Sequence, residues 1–95
     1  MKFKAKVKMV SEKKEGTSMA TGEKWEIVNL LLEFENEEGT HRIMALAFTD
    51  VTRDILKLGI KAGDCVDVAV RFGVRTYRTG FCLTEVKLLS ICLSE

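Results

Sequence analysis

The chain has 95 residues, 46 % of them hydrophobic and 31 % charged, with a formal net charge of +1. That length allows one hydrophobic core, and that charge excludes a uniformly basic polyanion binder. No apolar run approaches the roughly 18 residues of a membrane helix, and the alternating start Met1-Lys2-Phe3-Lys4-Ala5-Lys6 lacks the charged-then-apolar order of a secretory signal.

The first strand alternates. Phe3, Ala5, Val7 and Met9 are expected to face the core, with Lys2, Lys4, Lys6 and Lys8 on the other side. Ser11 to Gly22 holds two glycines and small polar residues and reads as a hairpin loop. A second strand is expected from Trp25 to about Glu35. Val28, Leu30, Leu32 and Phe34 form its inward set, and Trp25, Ile27, Asn29 and Leu31 share the opposite face with Glu33 and Glu35. Glu37-Glu38-Gly39-Thr40 is a turn. The third strand, His41 to Phe48, has Ile43, Ala45 and Ala47 on one face and Arg42, Met44, Leu46 and Phe48 on the other. Both faces of these two strands are apolar. Such strands are buried on both sides or present an apolar surface to a partner, and the pattern leaves open which face points inward.

Asp50 to Leu58 reads as the one helix. Val51, Ile55 and Leu58 make an apolar stripe, Asp50 is expected to cap its first amides, and Gly59 to end it in the left-handed conformation. Ile60 is placed to pack back on the last turn. Lys61-Ala62-Gly63-Asp64 then turns into a fourth strand, Cys65 to Phe72. Val66, Val68, Val70, Phe72 and Val74 are expected on its core face, and Arg71, Gly73, Arg75 and Tyr77 on the other. Thr76 to Gly80 is a turn. A fifth strand runs from Phe81 to about Leu89, with Val86 and Leu88 closing the core. This order predicts a mainly β protein, residues 1–95 forming one five-stranded Greek-key barrel of the OB type with a short helix between strands three and four.

Three stretches carry a likeness to a known group. They are Gly16-Thr17 through Gly22-Glu23-Lys24-Trp25 with Leu30-Leu31-Leu32-Glu33, then Leu58-Gly59-Ile60-Lys61-Ala62-Gly63-Asp64-Cys65-Val66, and finally Arg75-Thr76-Tyr77 with Gly80 and Thr84-Glu85-Val86. Over most of its length the chain resembles small bacterial single-stranded-DNA-binding-like OB-fold proteins. It departs from them in having Phe48 where the group often has tryptophan, and in a last strand poor in aromatics. The resemblance implies an OB fold and nucleic-acid binding.

Single-strand binding needs cations along the phosphates and flat side chains for the bases. Trp25 and Phe48 lie on the outward faces of adjacent strands and can form one platform, or else pack at the rim and core. Arg42 shares the parity of Phe48. Arg71, Arg75 and Tyr77 share another, with Arg78 beside them near the last loop, which commonly lines an OB groove. Lys4 and Lys6 belong to a lysine stripe that either meets phosphates or blunts a sheet edge. Ile27, Leu31, Met44 and Leu46 offer area without polar readout, which suits a subunit interface.

The expected function is non-enzymatic binding of single-stranded nucleic acid, DNA in particular, with little sequence preference. The alternative is a protein-interaction or oligomerisation module, a homodimer or homotetramer. No cofactor is expected. His41 is the only histidine, and Cys65, Cys82 and Cys92 lack the paired spacing of a zinc site. The odd, widely spaced cysteines argue for reduced thiols in a cytoplasm and read as small apolar fillers. Asp50 and Asp54 are accounted for by capping and first-turn charge, and no nucleophile has a base beside it in sequence.

Overall fold

The computed structural model describes residues 1–94. The elements in chain order are β1 (Lys2–Val10), β2 (Lys14–Thr17), β3 (Lys24–Asn36), β4 (Gly39–Phe48), α1 (Thr49–Leu58), β5 (Cys65–Thr76) and β6 (Cys82–Leu93). They form a six-stranded sheet ordered β1-β5-β6-β4-β3-β2, in which β1 also pairs with β3. The pairings therefore return on themselves. Lys2 to Lys6 lies along β5, while Lys6 to Val10 lies along Glu33 to Leu30 of β3. The sheet has six strands, not the five expected. Lys14–Thr17, inside the anticipated loop, pairs with Ile27 to Lys24, the stretch of the β3 edge that β1 does not reach.

Inside the circuit lie Val7, Val28, Leu30, Leu32, Ala45, Ala47, Val66, Val70 and Leu88, with Ile55 of α1 across one end. Burying each of the larger side chains stabilises the fold by roughly 1.5–3 kcal/mol. The inward faces of β3 and β4 are thus the Val28 and Ala47 faces, which decides a choice the apolar pattern left open. Phe34 closes the other end, its ring 4.8 Å from Phe3 and 5.5 Å from His41.

Two bulges reset the alternation. Val7 stands opposite Leu32 but Met9 stands opposite Leu31, so Lys8 is the extra residue. Met9, expected in the core, is turned out and 44 % exposed, and Val10 packs inward instead. On β6, Ala69 faces Ser90 and Val70 faces Leu88, which leaves Leu89 unpaired and brings Ile91 as well as Leu88 into the core. The strand continues past its expected end, to Leu93.

The helix begins at Thr49. Phe48 holds the cap position in extended backbone with no side-chain cap bond, so Asp50 does not cap; it sits in the first turn, where its charge favours the helix dipole. Thr52 is the buried polar residue here. Its hydroxyl donates to the Ala47 carbonyl at 2.9 Å. Leu58, expected on the apolar stripe, is 41 % exposed. Gly59, at φ +67°, reverses the chain and brings Ile60 under the helix, its N–H donating to the Ile55 carbonyl at 3.2 Å. The following turn is held by Asp64, whose carboxylate accepts the Lys61 N–H at 2.9 Å, and it bonds to β1 through Gly63 N–H to Val7 O at 2.7 Å.

Beyond the core, β5 and β6 continue as a two-stranded arm paired from Arg71 opposite Lys87 to Thr76 opposite Cys82. Residues 71–80 are all exposed. Phe72 and Val74, expected inside, are 49 % and 67 % exposed because the strand outruns the layer it would pack against. All three cysteines are exposed rather than acting as core fillers.

Candidate nucleic-acid interface

Strand register sets the outer face of β3 and β4 in rows. Ile27 lies opposite Phe48, Asn29 opposite Leu46, Leu31 opposite Met44 and Glu33 opposite Arg42. Trp25 is one alternation beyond Ile27 on the same side. β6 joins β4 in parallel where Leu46 stands opposite Lys87. There the Lys87 ammonium sits 5.1 Å from the centre of the Phe48 ring, within range of a cation–π contact. The arm supplies the facing wall. Arg71, Gly73 and Arg75 stand opposite Lys87, Glu85 and Leu83.

Phe48, Arg71, Gly73, Arg75, Glu85 and Lys87 line a depression of about 230 Å³. A second, of about 260 Å³, is lined in part by Asn29, Met44, Leu46, Tyr77 and Leu83, and shares Arg75 and Glu85 with the first. Together they make one groove between the outer face of β4 and the arm. Its cations are not all free. Arg75 donates to Glu85 at 3.1 Å, and further along the face Arg42 donates to Glu33 at 2.8 Å. The bond from Arg42 holds the Glu33 carboxyl below its ordinary value.

Of the residues expected at such a site, the fold gathers Phe48, Arg71, Arg75 and Tyr77. Trp25 shares their side of the sheet but lies over Gly16 of β2. Arg42 is at the far end of the face. Arg78 is in the exposed turn at the arm's tip, where Tyr77 N–H donates to Phe81 O at 2.8 Å and the two rings lie 6.2 Å apart. Lys4 and Lys6 are on β1, away from the groove. Ile27, Leu31, Met44 and Leu46 are all on the outer face, and the bulge at Lys8 adds Met9 to complete a row Met9–Leu31–Met44 across three strands.

Lys87, Glu85 and Asn29 also line the groove, though no motif singled them out as binding residues. The parity of Val86 and Leu88 would have placed Glu85 and Lys87 on the outer face. Among the described residues no cluster of three His, Cys, Asp or Glu side chains is placed to hold a metal ion.

No protein-family model matches the sequence, and no curated protein matches it significantly. Solved structures do match its fold. The second OB-fold domain of replication protein A from Methanococcus maripaludis superposes with a TM-score of 0.64 at 21 % identity, over 99 % of this chain and 82 % of that one. The fold is an OB fold. The mitochondrial single-stranded DNA binding protein Rim1 of S. cerevisiae gives 0.58 at 20 % identity, over 98 % of this chain and 91 % of that one. A small single-stranded DNA-binding protein from Streptomyces coelicolor gives 0.53 at 15 %, over 99 % and 92 %. The archaeal and mitochondrial members of this set show that the likeness is not confined to bacterial proteins.

Proposed function

We propose that this chain binds single-stranded DNA without catalysing a reaction, in the groove between the outer face of β4 and the β5–β6 arm. The observation that carries this reading is the convergence of a ring, Phe48, with Lys87, Arg71 and Arg75 from two other strands in one depression. Bases stack on the ring and phosphates meet the cations, which needs no sequence-specific contact. The OB-fold structures that match by superposition include proteins described as single-stranded DNA binders, which supports the same reading. Trp25, on the same side of the sheet, extends the platform, and Tyr77 and Arg78 bring the tip of the arm to the strand.

The test is fluorescence anisotropy of labelled oligo-dT across a salt series. The expected result is binding at low salt whose log affinity falls linearly with log salt. No binding at low salt, or affinity indifferent to salt, rejects the reading.

The apolar row Met9–Leu31–Met44, flanked by Ile27 and Leu46, favours a second reading, in which this face is a subunit contact. Met9 and Met44 are 44 % and 45 % exposed. Sedimentation at rising concentration decides it, because a persistent monomer leaves the row without that role.

A further inference from the structure

Lys2, Lys4 and Lys6 project from β1 on the same outer surface as the groove, and all three are exposed. A stripe of this kind commonly protects a sheet edge. Here β1 is shared between β5 and β3, and beside its first residues the Phe3 ring packs on Phe34, so the lysines guard no long open edge. Among the described residues none of the three makes an ion pair. The carboxylates facing them are Asp67, opposite Lys4, and Glu33 and Glu35, which line a second depression with Lys4 and Lys6; Glu33, opposite Lys6, is already held by Arg42. After the Arg42 hydrogen bond, Lys6 helps to hold the Glu33 carboxyl below its ordinary value across the strand pair, but among the described residues neither Lys2 nor Lys4 has such a partner.

Lys2 and Lys4 border a shallow trough, and Lys6 follows them on the strand. Lys2, Phe3 and Lys4 form one side of a depression of about 420 Å³ whose other lining residues include Asp67, Ala69, Ser90 and Cys92. The small residues leave the floor low. The register joins this trough to the groove. Lys2 stands opposite Ala69, the next outward residue along β5 is Arg71, and Arg71 stands opposite Lys87, whose ammonium covers Phe48. Lysines two apart on a strand are about 6.6 Å apart along it, comparable to one repeat of an extended single strand.

We infer that the single strand proposed above for the groove continues past Arg71 onto Lys2, Lys4 and Lys6, so that the binding path wraps from β4 to β1. The inference rests on the groove reading and extends it. The groove alone holds a short segment, and the lysines engage when the strand is long enough to reach them.

The experiment compares labelled oligo-dT of about 6 and about 16 nucleotides, lengths within the range one OB fold covers, on the full chain over a salt series. Three further phosphate contacts should steepen the slope of log affinity against log salt by about 2 for the longer oligonucleotide. The triple variant Lys2→Gln, Lys4→Gln, Lys6→Gln should lose that increment and bind the short oligonucleotide as before. Amine acetylation of the unmodified protein, read by mass spectrometry, gives the same test without a variant. The long strand should protect Lys2, Lys4 and Lys6, and the short one should not. Equal slopes for the two lengths, or lysines equally reactive with and without the long strand, overturn the extended path while leaving the groove intact. Failure of both lengths to bind overturns the groove reading and the path with it.

Discussion

Gly16 stands directly opposite Trp25 in the β2–β3 pair, and the indole occupies the space that a Cβ on Gly16 would need. The glycine is a seat for the ring, which fixes Trp25 on the outer face at the rim of the sheet and holds the short polar β2 in place. The substitution Gly16→Ala should therefore push the ring toward solvent. The expected outcome is a red shift of the emission of Trp25, the only tryptophan, with a loss of about 1 kcal/mol, the low end for overpacking because a rim side chain can swing away. Denaturant unfolding followed by fluorescence reads both, and an unshifted spectrum rejects the seat.

Glu85 lies in the groove and accepts a hydrogen bond from Arg75, so it competes with any phosphate for that guanidinium. Glu85→Gln should strengthen binding to oligo-dT and steepen the salt slope by about 0.7, one single-strand phosphate contact. Arg75→Gln should weaken binding and flatten the slope. An unchanged affinity in both variants would remove Arg75 from the interface.

Phe48 supplies the ring under Lys87, and Phe48→Leu keeps an apolar side chain at the head of the helix while deleting that ring. Loss of one stacked base is worth roughly 1–3 kcal/mol, so affinity should fall about 5- to 150-fold. Thermal unfolding serves as the control for a folding defect. Affinity within error of the parent protein would assign Phe48 to packing alone.

Glu26 accepts from Lys13 at 3.2 Å and from Arg53 at 3.0 Å, tying the segment before β2 and the helix to β3. The hydrogen bond from Lys13, then that from Arg53, lowers the Glu26 carboxyl below its ordinary 4.5. Its bonds to Glu26 and Glu15 raise Lys13 above 10.5. A lowered carboxyl stabilises the fold above the ordinary carboxylate range, and that contribution is lost as pH falls through the folded value. A raised amine stabilises below 10.5, and that contribution is lost as pH climbs through the folded value. Stability should be level between these limbs. Glu26→Gln should flatten both, because it removes the partner common to the two shifts. Denaturant midpoints across pH check this, and an unaltered acid limb in the variant would place the dependence elsewhere.

The core of β3 and β4 was legible only as two candidate faces: Val28, Leu30, Leu32, Ala45 and Ala47 alternate without interruption, but the opposite faces are apolar too, and only the tertiary pairing decides which is inside. Parity on single strands grouped Arg71, Arg75 and Tyr77 on one face and set Phe48 on another; that the two faces meet in one groove follows from the β4–β6 and β5–β6 pairings. The phase change at Lys8 was not legible. It arises because β1 leaves β5 for β3 within one strand, a tertiary event that Met9 and Val10 do not announce. Phe72 and Val74 misled for the opposite reason: their alternation is regular, but no second layer lies beneath the arm. β2 is four polar or small residues whose pairing depends on the β3 edge, not on any apolar pattern of its own. Asp50 failed as a cap because the helix starts one residue earlier, at Thr49.

The circuit of strands is closed between β4 and β6 where Leu46 meets Lys87, and the side chain of that same lysine covers Phe48. One residue thus makes the strand joint with its backbone and covers the ring with its side chain. Any group that stacks on the ring must displace or recruit the ammonium of Lys87, a residue whose place that joint fixes. Seam and ring are thus set by one position in the register, and uncovering Phe48 needs only a side-chain movement that leaves the strand pairing as it is.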